Sequence, residues 1–387
     1  MKIAIIGPYF LPQNFGIEKV MLNHATYLAA RGHHVTVITS RLAFPTGSFA
    51  DLPSREVVDG FTIIRLEVLI RAPPTRLLSY PSRGGLFVRG IRRALEAADP
   101  DIVHAHNVGA PAWAEAGARF CDRYGRSFFY SLYFHTGKLK LDWVRKLLIR
   151  RMNALPLRTA KAIFMQTMFD YEPLLQDFQI IAPQQLAVLP NGVMPPQCER
   201  DEDLPSGKIR LLFVGRVDDH RKGFDVLETA LEGLEPSQRE QISLRVIGTI
   251  SEARRQDLSA KFSGLISIAG NVTEAVLEAA YASSDIFVMP SRYEGFGMPY
   301  IEAMRYGLAV IGSRAGGIPH VVPEGTGMLV PPGDPVALRE AIAAMIESRS
   351  FHQYSEAARA WARTFEWPGV IDRLEAFYRS HAGAAGS

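Results

Sequence analysis

Two glutamates near residue 300 have the spacing and surroundings of a ligand site. Glu294 and Glu302 are separated by seven residues, and the stretch between them begins Gly295-Phe-Gly-Met-Pro299. Glycines let backbone N–H groups approach a ligand, and a helix that starts at a proline offers an anion its positive end. The two carboxylates would repel that anion, so they suit hydroxyl groups better. The pattern predicts a site for a diphosphate flanked by polyols, which describes a nucleotide sugar.

A buried strand has to position this loop. The apolar run Asp285-Ile-Phe-Val-Met-Pro290 is bounded by a charge and a proline, which is typical of a parallel strand covered on both faces. Taken alone, the stretch is also consistent with a solvated surface helix, because a single Gly-x-Gly is a weak signal.

A second loop carries the cations that a diphosphate requires. The predicted strand from Leu211 ends at Gly215, Arg216 and Lys222 follow, and a helix is expected from Gly223. Arginine offers a planar fork of donors and lysine a mobile point charge, and both bind phosphate oxygens. An ordinary solvated loop is the alternative for this segment considered alone.

In combination, these motifs resemble the donor site of the retaining GT-B glycosyltransferases of family 4 (glycosyltransferase group 1). The resemblance covers nearly the whole chain, and its motifs occur in the expected order. They are Asn191-Gly-Val193, Gly215-Arg216, Lys222-Gly223, the pair Glu294 and Glu302, and Gly316-Gly-Ile-Pro319. It implies an α/β fold of two doubly wound Rossmann-like domains that face each other across a cleft.

The resemblance also implies a role for each matching residue. Arg216 and Lys222 would bind the diphosphate, Glu302 the ribose hydroxyls, and Glu294 with the loop backbone the transferred sugar. The base would be held through backbone groups near Asn271, so the sequence does not name it, although we favour a UDP-sugar over GDP-mannose. The expected catalytic residues are His135, Arg216, Lys222 and Glu294. The expected donor-binding residues are Gly16, Arg216, Lys222, Asn271, Val272, Glu294, Gly295, Phe296, Gly297, Met298 and Glu302.

The first half opens as a β-α-β unit. Residues 2–7 form a strand, a helix runs to about Arg31, and a second strand follows. The family usually has two adjacent glycines where this chain has Phe15-Gly16, so only Gly16 is free to approach a ligand. The absence of Gly-x-Gly-x-x-Gly argues against an NAD-binding domain.

Three histidines lie at the ends of predicted strands. Phe128–Thr136 is expected to form one strand, which would place His135 in the cleft, and the family has a histidine there near the reacting carbon. His104 and His106 share one side of another strand. They are expected to lack a third ligand nearby, so we expect packing rather than metal binding.

Length and composition are those of an ordinary globular protein with two domains. The chain has 387 residues, of which 47% are hydrophobic and 21% charged. We place the domains at 1–193 together with about 368–387, and at 209–367, with 194–208 as linker. The chain has only two cysteines, Cys121 and Cys198. We expect no signal peptide, and no apolar run approaches the roughly 20 residues of a membrane helix. A cytoplasmic setting follows.

The charge is unevenly distributed. The net charge is +3, yet residues 60–161 contain 18 lysines and arginines against 7 acidic residues. This excess predicts an anionic partner such as a membrane surface or an acidic acceptor, while no motif indicates nucleic acid. The basic amphipathic segment Lys138–Arg151 would either lie in a membrane interface or pack on the sheet with a solvated basic face. We prefer the second.

The predicted reaction transfers a hexose from a nucleotide diphosphate to the hydroxyl of a glycan, lipid-linked or small-molecule acceptor, with retention. No motif marks a nucleophilic carboxylate, so we expect the leaving phosphate oxygen to accept the proton while His135 orients the sugar. Asp99-x-Asp101 and Asp201-x-Asp203 lie outside the expected site, so no metal or cofactor is predicted. The alternatives are a nucleotide-sugar epimerase of GT-B architecture and a non-catalytic sugar-nucleotide-binding protein.

Overall fold

The computed structural model describes residues 1–12, 16–41, 51–67, 85–106, 111–133, 143–200, 207–349 and 351–382. The chain forms two compact units, one made of Met1–Pro190 with Trp367–Ser387 and the other of Asn191–Glu366. Each unit is built on its own sheet, so the α/β class with two sheets is confirmed. No helix among the described residues is both long and apolar enough to cross a bilayer.

The first unit contains an eight-stranded sheet. Its strands are β1 (Lys2–Ile6), β2 (His34–Ser40), β3 (Arg55–Val58), β4 (Phe61–Leu66), β5 (Ile102–His106), β6 (Ser127–Ser131), β7 (Ala162–Met165) and β8 (Leu186–Val188). They are ordered β3-β4-β2-β1-β5-β6-β7-β8, and among them only β3 and β4 pair antiparallel. The helices are α1 (Gly16–Ala30), α2 (Gly85–Ala98), α3 (Pro111–Tyr124), α4 (Trp143–Thr159), α5 (Tyr171–Asp177) and α14 (Trp367–Ala382).

The second unit contains a parallel six-stranded sheet. Its strands are β9 (Ile209–Val214), β10 (Ile242–Ile247), β11 (Ile266–Gly270), β12 (Ile286–Val288), β13 (Ala309–Ser313) and β14 (Gly327–Val330). The helices are α6 (Phe224–Glu232), α7 (Pro236–Glu240), α8 (Glu252–Lys261), α9 (Glu274–Ala282), α10 (Met298–Arg305), α11 (Ile318–Val321), α12 (Pro335–Ser348) and α13 (His352–Arg363). The order β11-β10-β9-β12-β13-β14 is that of a Rossmann fold.

The strand order creates a crevice in the second unit. Successive strands add on one side from β9 to β11 and on the other side from β12 to β14, so the direction reverses between β9 and β12. Ligands of open α/β sheets bind at such a reversal, beyond the carboxyl ends of the strands. Ile286, Phe287 and Val288 of β12 are fully buried, as a strand covered on both faces requires.

The boundary between the units differs from the prediction. It falls after Pro190 instead of Val193, because Val193 is buried in the second core and bridges to Glu366. Residues 194–200 of the predicted linker are part of the second unit and are held there by hydrogen bonds. Arg305 donates to the carbonyl of Met194 at 2.5 Å, and Arg200 donates to that of Gly307 at 2.7 Å. The segment has few apolar residues, which is why the sequence predicted a linker. Polar contacts hold it in place instead.

One strand is shorter than expected. β6 ends at Ser131 rather than Thr136, although the sequence remains apolar to Phe134. His135 and residues 138–142 lie outside the described residues, as do the side chains of 143–149. The predicted roles of His135 and of Lys138–Arg151 therefore stay predictions.

His104 and His106 do have a third histidine beside them. Helix α1 brings His24 to the face of β5 where they lie, and one ring nitrogen from each lies within 4.8 Å of the other two. The expectation that a third ligand is missing is wrong, because His24 is distant in sequence and adjacent only in the fold.

The C-terminal helix α14 belongs to the first unit and is held there by a partly buried carboxylate. Glu375 accepts hydrogen bonds from His33 Nε2 at 2.5 Å and from an Arg31 guanidinium nitrogen at 2.9 Å. Burial alone would raise the pKa of Glu375, but these hydrogen bonds outweigh it and hold the pKa below its ordinary value. The contact therefore favours the ionised form of Glu375.

We expect Glu375→Gln to lower the free energy of unfolding at neutral pH by about 2 kcal/mol, because charge-assisted hydrogen bonds are lost. A depressed pKa contributes stability above the unfolded value, and this is lost as pH falls through the folded value. The difference between wild type and variant should therefore shrink below about pH 4. Urea titrations across pH measure it.

Asp372→Asn is the matched control. Asp372 also contacts Arg31, at 2.7 Å, but its side chain is 69% exposed. The control should change the free energy of unfolding by less than about 0.5 kcal/mol. Equal effects of the two variants would contradict the role given to Glu375.

Candidate active site

The loops that follow β9 and β12 meet at the reversal of strand order. The Arg292 N–H donates to the carbonyl of Arg221 at 2.7 Å. Gly223 has a φ of 70°, and a Cβ at that position would lie 2.0 Å from the carbonyl oxygen of Pro290. Only glycine combines this backbone angle with so close an approach, so Gly223 brings the two loops together.

Lys222 and Glu294 form an ion pair across these loops. Lys222 Nζ lies 2.6 Å from Glu294 Oε1, and the Ser291 hydroxyl donates to the same oxygen at 3.0 Å. The two side chains are 19% and 14% exposed. The sequence assigned them to different parts of a ligand, and the structure brings them into direct contact.

Arg216 is the exposed cation of the site. Its side chain is 59% exposed and contacts Asp219 at 2.5 Å. The neighbouring Arg221 binds the same carboxylate through two nitrogens, at 2.8 and 3.0 Å. The hydrogen bonds from Arg221, together with the Arg216 charge, hold the pKa of Asp219 well below its usual range. Arg216 therefore shares an ionised partner while much of its guanidinium faces solvent.

The glycine loop presents backbone donors. The N–H groups of Gly295, Phe296 and Gly297 find no acceptor among the residues that the structure describes, although all three residues are buried. Gly297 has a φ of 90° and immediately precedes α10, whose first N–H groups have no partner within the helix. Backbone N–H groups are strong donors, so this loop is suited to an anionic or carbonyl-type ligand.

The loop is anchored from the other side by a second glycine pair. The Gly317 N–H donates to the carbonyl of Glu294 at 2.8 Å. Gly316 has a φ of 56°, and a Cβ there would lie 2.2 Å from that carbonyl oxygen. The predicted motif at 316–319 therefore acts by fixing the backbone of Glu294.

Glu302 lies on α10 as predicted, and a buried tyrosine orients it. The Tyr281 hydroxyl, on α9, donates to Glu302 Oε2 at 3.0 Å. Burial raises the pKa of Tyr281 well above its ordinary value, so the hydroxyl keeps its proton and remains a donor. Glu302 is half-buried, which leaves it accessible to hydroxyl groups of a ligand.

The other predicted residues are placed as follows. Asn271 is exposed and Val272 half-buried, directly after β11 and at the same edge of the sheet as the site. Met298 is half-buried and opens α10. Gly16 belongs to the first unit and is the first residue of α1. Its φ is 43°, and no atom lies within 4 Å of the position that a Cβ would occupy.

The sequence did not reveal the residues that orient the predicted ones. Ser291, Asp219 and Tyr281 are partners of Glu294, Arg216 and Glu302. Ser291 and Asp219 are close to their partners in the chain, but serine and aspartate are common in loops and their spacing is not diagnostic. Tyr281 is on a separate helix, and nothing in the sequence pairs it with Glu302.

The second unit thus combines a Rossmann strand order with cations, unpartnered amides and two oriented carboxylates around one crevice. These groups have the chemistry to bind a molecule that carries both hydroxyl and anionic groups. Comparison with known families agrees: residues 16–195 match the family described as Glycosyltransferase Family 4, and residues 208–348 match Glycosyl transferases group 1. The chain belongs to these family 4, or group 1, glycosyltransferases, and each of its units is a Rossmann-like domain of the GT-B fold.

Individual relatives match along the whole chain. A phosphatidyl-myo-inositol mannosyltransferase of Mycobacterium leprae is 28% identical over 99% of this chain and 97% of its own length. A GDP-mannose-dependent alpha-mannosyltransferase of Mycolicibacterium smegmatis is 27% identical over 99% and 98%. Among solved structures, a sucrose-phosphate synthase from Thermosynechococcus elongatus has a TM-score of 0.74 and 22% identity over 99% of each chain.

We expect Gly316→Ala to lower the free energy of unfolding by more than about 2 kcal/mol, because the new Cβ adds a clash with Glu294 to an unfavourable φ. Gly325→Ala is the matched control. Gly325 has a φ of 86°, but no atom lies within 4 Å of a Cβ there. The control should cost about 1 kcal/mol. Chemical denaturation measures both, and equal losses would show that the contact with Glu294 is unimportant.

Proposed function

We propose that the protein is a retaining hexosyltransferase that uses a nucleotide diphosphate sugar and requires no metal ion for transfer. The observation that supports this most is the contact of Lys222 with Glu294 beside the three unpartnered N–H groups of 295–297. A cation and backbone donors suit a diphosphate, while a carboxylate at the same point suits the hydroxyls of the adjoining sugar. Few other ligands have an anionic group directly beside several hydroxyl groups.

The residues then have distinct tasks. Arg216, Lys222 and the first turn of α10 bind the diphosphate and stabilise the negative charge that builds up as it leaves. Lys222 has three N–H donors, so it can bind a phosphate oxygen without releasing Glu294. Glu294 accepts hydrogen bonds from the transferred sugar, and Glu302 accepts them from the ribose.

Retention is proposed to follow a front-face route. The acceptor hydroxyl attacks the anomeric carbon as the bond to the diphosphate breaks, and its proton passes to the leaving phosphate oxygen. No protein nucleophile forms a covalent intermediate. His135 keeps its predicted role, which is to orient the sugar near the reacting carbon.

For the sugar donor we propose GDP-mannose as the first candidate, ahead of the UDP-sugar favoured by the sequence. Two relatives matched over their full length are named mannosyltransferases, and the name of one specifies GDP-mannose. Backbone groups near Asn271 and Val272 are proposed to hold the base.

For the acceptor we propose a hydroxyl on a molecule that carries negative charge, such as a phosphoinositol headgroup. The excess of basic residues between 60 and 161 supports an anionic acceptor, and one relative is named for phosphatidyl-myo-inositol. Such a lipid would be met at the cytoplasmic face of a membrane, to which a basic surface is attracted.

Nucleotide binding should raise the melting temperature, because a ligand that binds only the folded state stabilises it. We expect a shift with GDP or with UDP, and its loss in Lys222→Ala and Arg216→Ala. Arg221→Ala is the control, since two nitrogens of Arg221 are already held by Asp219. If neither nucleotide shifts the melting temperature of folded protein, the proposed donor site is wrong.

Turnover tests the reaction itself. We expect transfer from GDP-mannose or UDP-glucose to vesicles that contain phosphatidylinositol, unchanged by EDTA, with an axial anomeric bond retained in the product by NMR. Glu302→Gln should raise the KM for the sugar nucleotide about tenfold through loss of charge-assisted hydrogen bonds worth about 1.5 kcal/mol. Inversion of the anomer, or a requirement for a metal, would refute the corresponding part of the proposal.

The two alternatives predict different products. An epimerase converts the sugar nucleotide to its epimer without any acceptor. A binding protein shows the thermal shift but neither transfer nor hydrolysis.

A further inference from the structure

Three buried histidines in the first unit form a cluster that the proposed transfer does not use. His104 and His106 occupy one face of β5 with their ring centroids 4.2 Å apart. His24, from α1, lies 5.8 and 5.4 Å from these rings. All three side chains are at most 1% exposed. Such a concentration of imidazoles in a protein interior calls for a physical explanation.

Burial keeps these rings neutral. It lowers the pKa of His24 to about 3, and it lowers the pKa values of His104 and His106 well below the ordinary value, with neighbouring histidines adding to the effect. An uncharged imidazole ring has one N–H and one lone pair, and it is the lone pair that binds a transition metal ion.

Two tyrosines orient the rings of β5. Tyr378 on α14 lies 2.7 Å from His104 Nδ1, and Tyr133 lies 3.0 Å from His106 Nδ1. When both hydroxyls accept from Nδ1–H, the Nε2 atoms of both histidines present lone pairs. Hydrogen bonding at the remote nitrogen is the usual support for a histidine that ligates a metal.

Two nitrogens of the cluster lack partners. His24 Nδ1 and His106 Nε2 are fully buried without a hydrogen bond among the described residues. His104 Nε2 does have one, because it lies 2.8 Å from the Ser131 hydroxyl. Buried polar atoms without partners are costly, and an ion that accepts their lone pairs would remove that cost.

We propose that His24, His104 and His106 bind a divalent transition metal ion, with zinc as the best match. Three imidazoles form the ligand set of several zinc sites, and the described partners of the rings are hydroxyls rather than carboxylates or thiolates. Zinc bonds of about 2.0 Å place tetrahedral ligand atoms about 3.3 Å apart. The rings therefore draw together from their present separation of up to 4.8 Å, and Ser131 yields the lone pair of His104.

The ion would join three elements of the first unit. His24 is on α1 and also contacts Trp367 at the start of α14 edge to face, while Tyr378 of α14 supports His104. The ion would tie α1 directly to β5, with α14 attached through Tyr378, and the fourth tetrahedral position would be filled by a water molecule. The occupancy of the site is independent of the reaction, so metal content can be measured whether or not sugar transfer is detected.

The test uses the full-length protein with any affinity tag removed. We expect about one zinc per chain by elemental analysis after dialysis, and a raised melting temperature relative to chelator-treated protein. Replacement by cobalt should give the visible d–d absorption of tetrahedral coordination without thiolate bands. Cys198→Ser, which removes the exposed thiol, and His34→Gln, at an exposed histidine, should leave zinc content and spectrum unchanged.

Two kinds of variant separate a metal site from an ordinary hydrogen-bonded cluster. His24→Phe should abolish zinc retention, and Tyr133→Phe, which keeps all three ligands, should weaken zinc binding about tenfold. Ser131→Ala removes the hydroxyl that competes for His104, so it should bind zinc at least as tightly as wild type. If folded wild-type protein retains no zinc and gives no cobalt spectrum, the proposal is wrong and the cluster is held by hydrogen bonds alone.

Discussion

The candidate active site depends on one ion pair, the contact between Lys222 and Glu294. It joins the loop after β9 to the loop after β12, and those loops are neighbours only because the strand order reverses between these two strands. Glycines allow the approach, since a side chain at Gly223 would collide with Pro290 and one at Gly316 with Glu294 itself. The close approach of the two loop backbones therefore determines where the charged side chains lie.

This contact makes the site more than a collection of phosphate-binding groups. A lysine alone would bind any accessible phosphate, and a glutamate alone would repel it. In the proposed function the two side chains, held 2.6 Å apart, bind the anionic part and the hydroxyl-bearing part of one ligand. Ser291 and Tyr281 extend the same principle, because each donates to a carboxylate and leaves it oriented before a ligand arrives. Preorganisation of this kind reduces the rearrangement that binding requires.

The first unit uses buried polar groups differently. Around the carboxyl end of β5, the buried polar groups are neutral histidines and tyrosines, whereas in the second unit they form salt bridges. At the periphery of the first unit, the ionised Glu375 holds α14. The difference lies in what surrounds each buried group. Imidazoles can lose their charge when they are desolvated, whereas Glu375 keeps its charge because His33 and Arg31 remain beside it.

The sequence by itself determined the fold class and the family, and it named the residues of the proposed donor site. Apolar runs between glycine loops predict parallel strands. The loop or helix start after a strand is where a ligand binds, and the sequence places four charged residues there: Arg216, Lys222, Glu294 and Glu302. Contacts between distant segments were decided only by the tertiary structure. Nothing in the spacing pairs Lys222 with Glu294, Tyr281 with Glu302, or His24 with His104. Likewise, 194–200 resembles a free linker until Arg305 and Arg200 are seen to bind it to the second unit. Local patterns report local conformation, whereas these contacts depend on which strands become neighbours, and that is a property of the whole sheet.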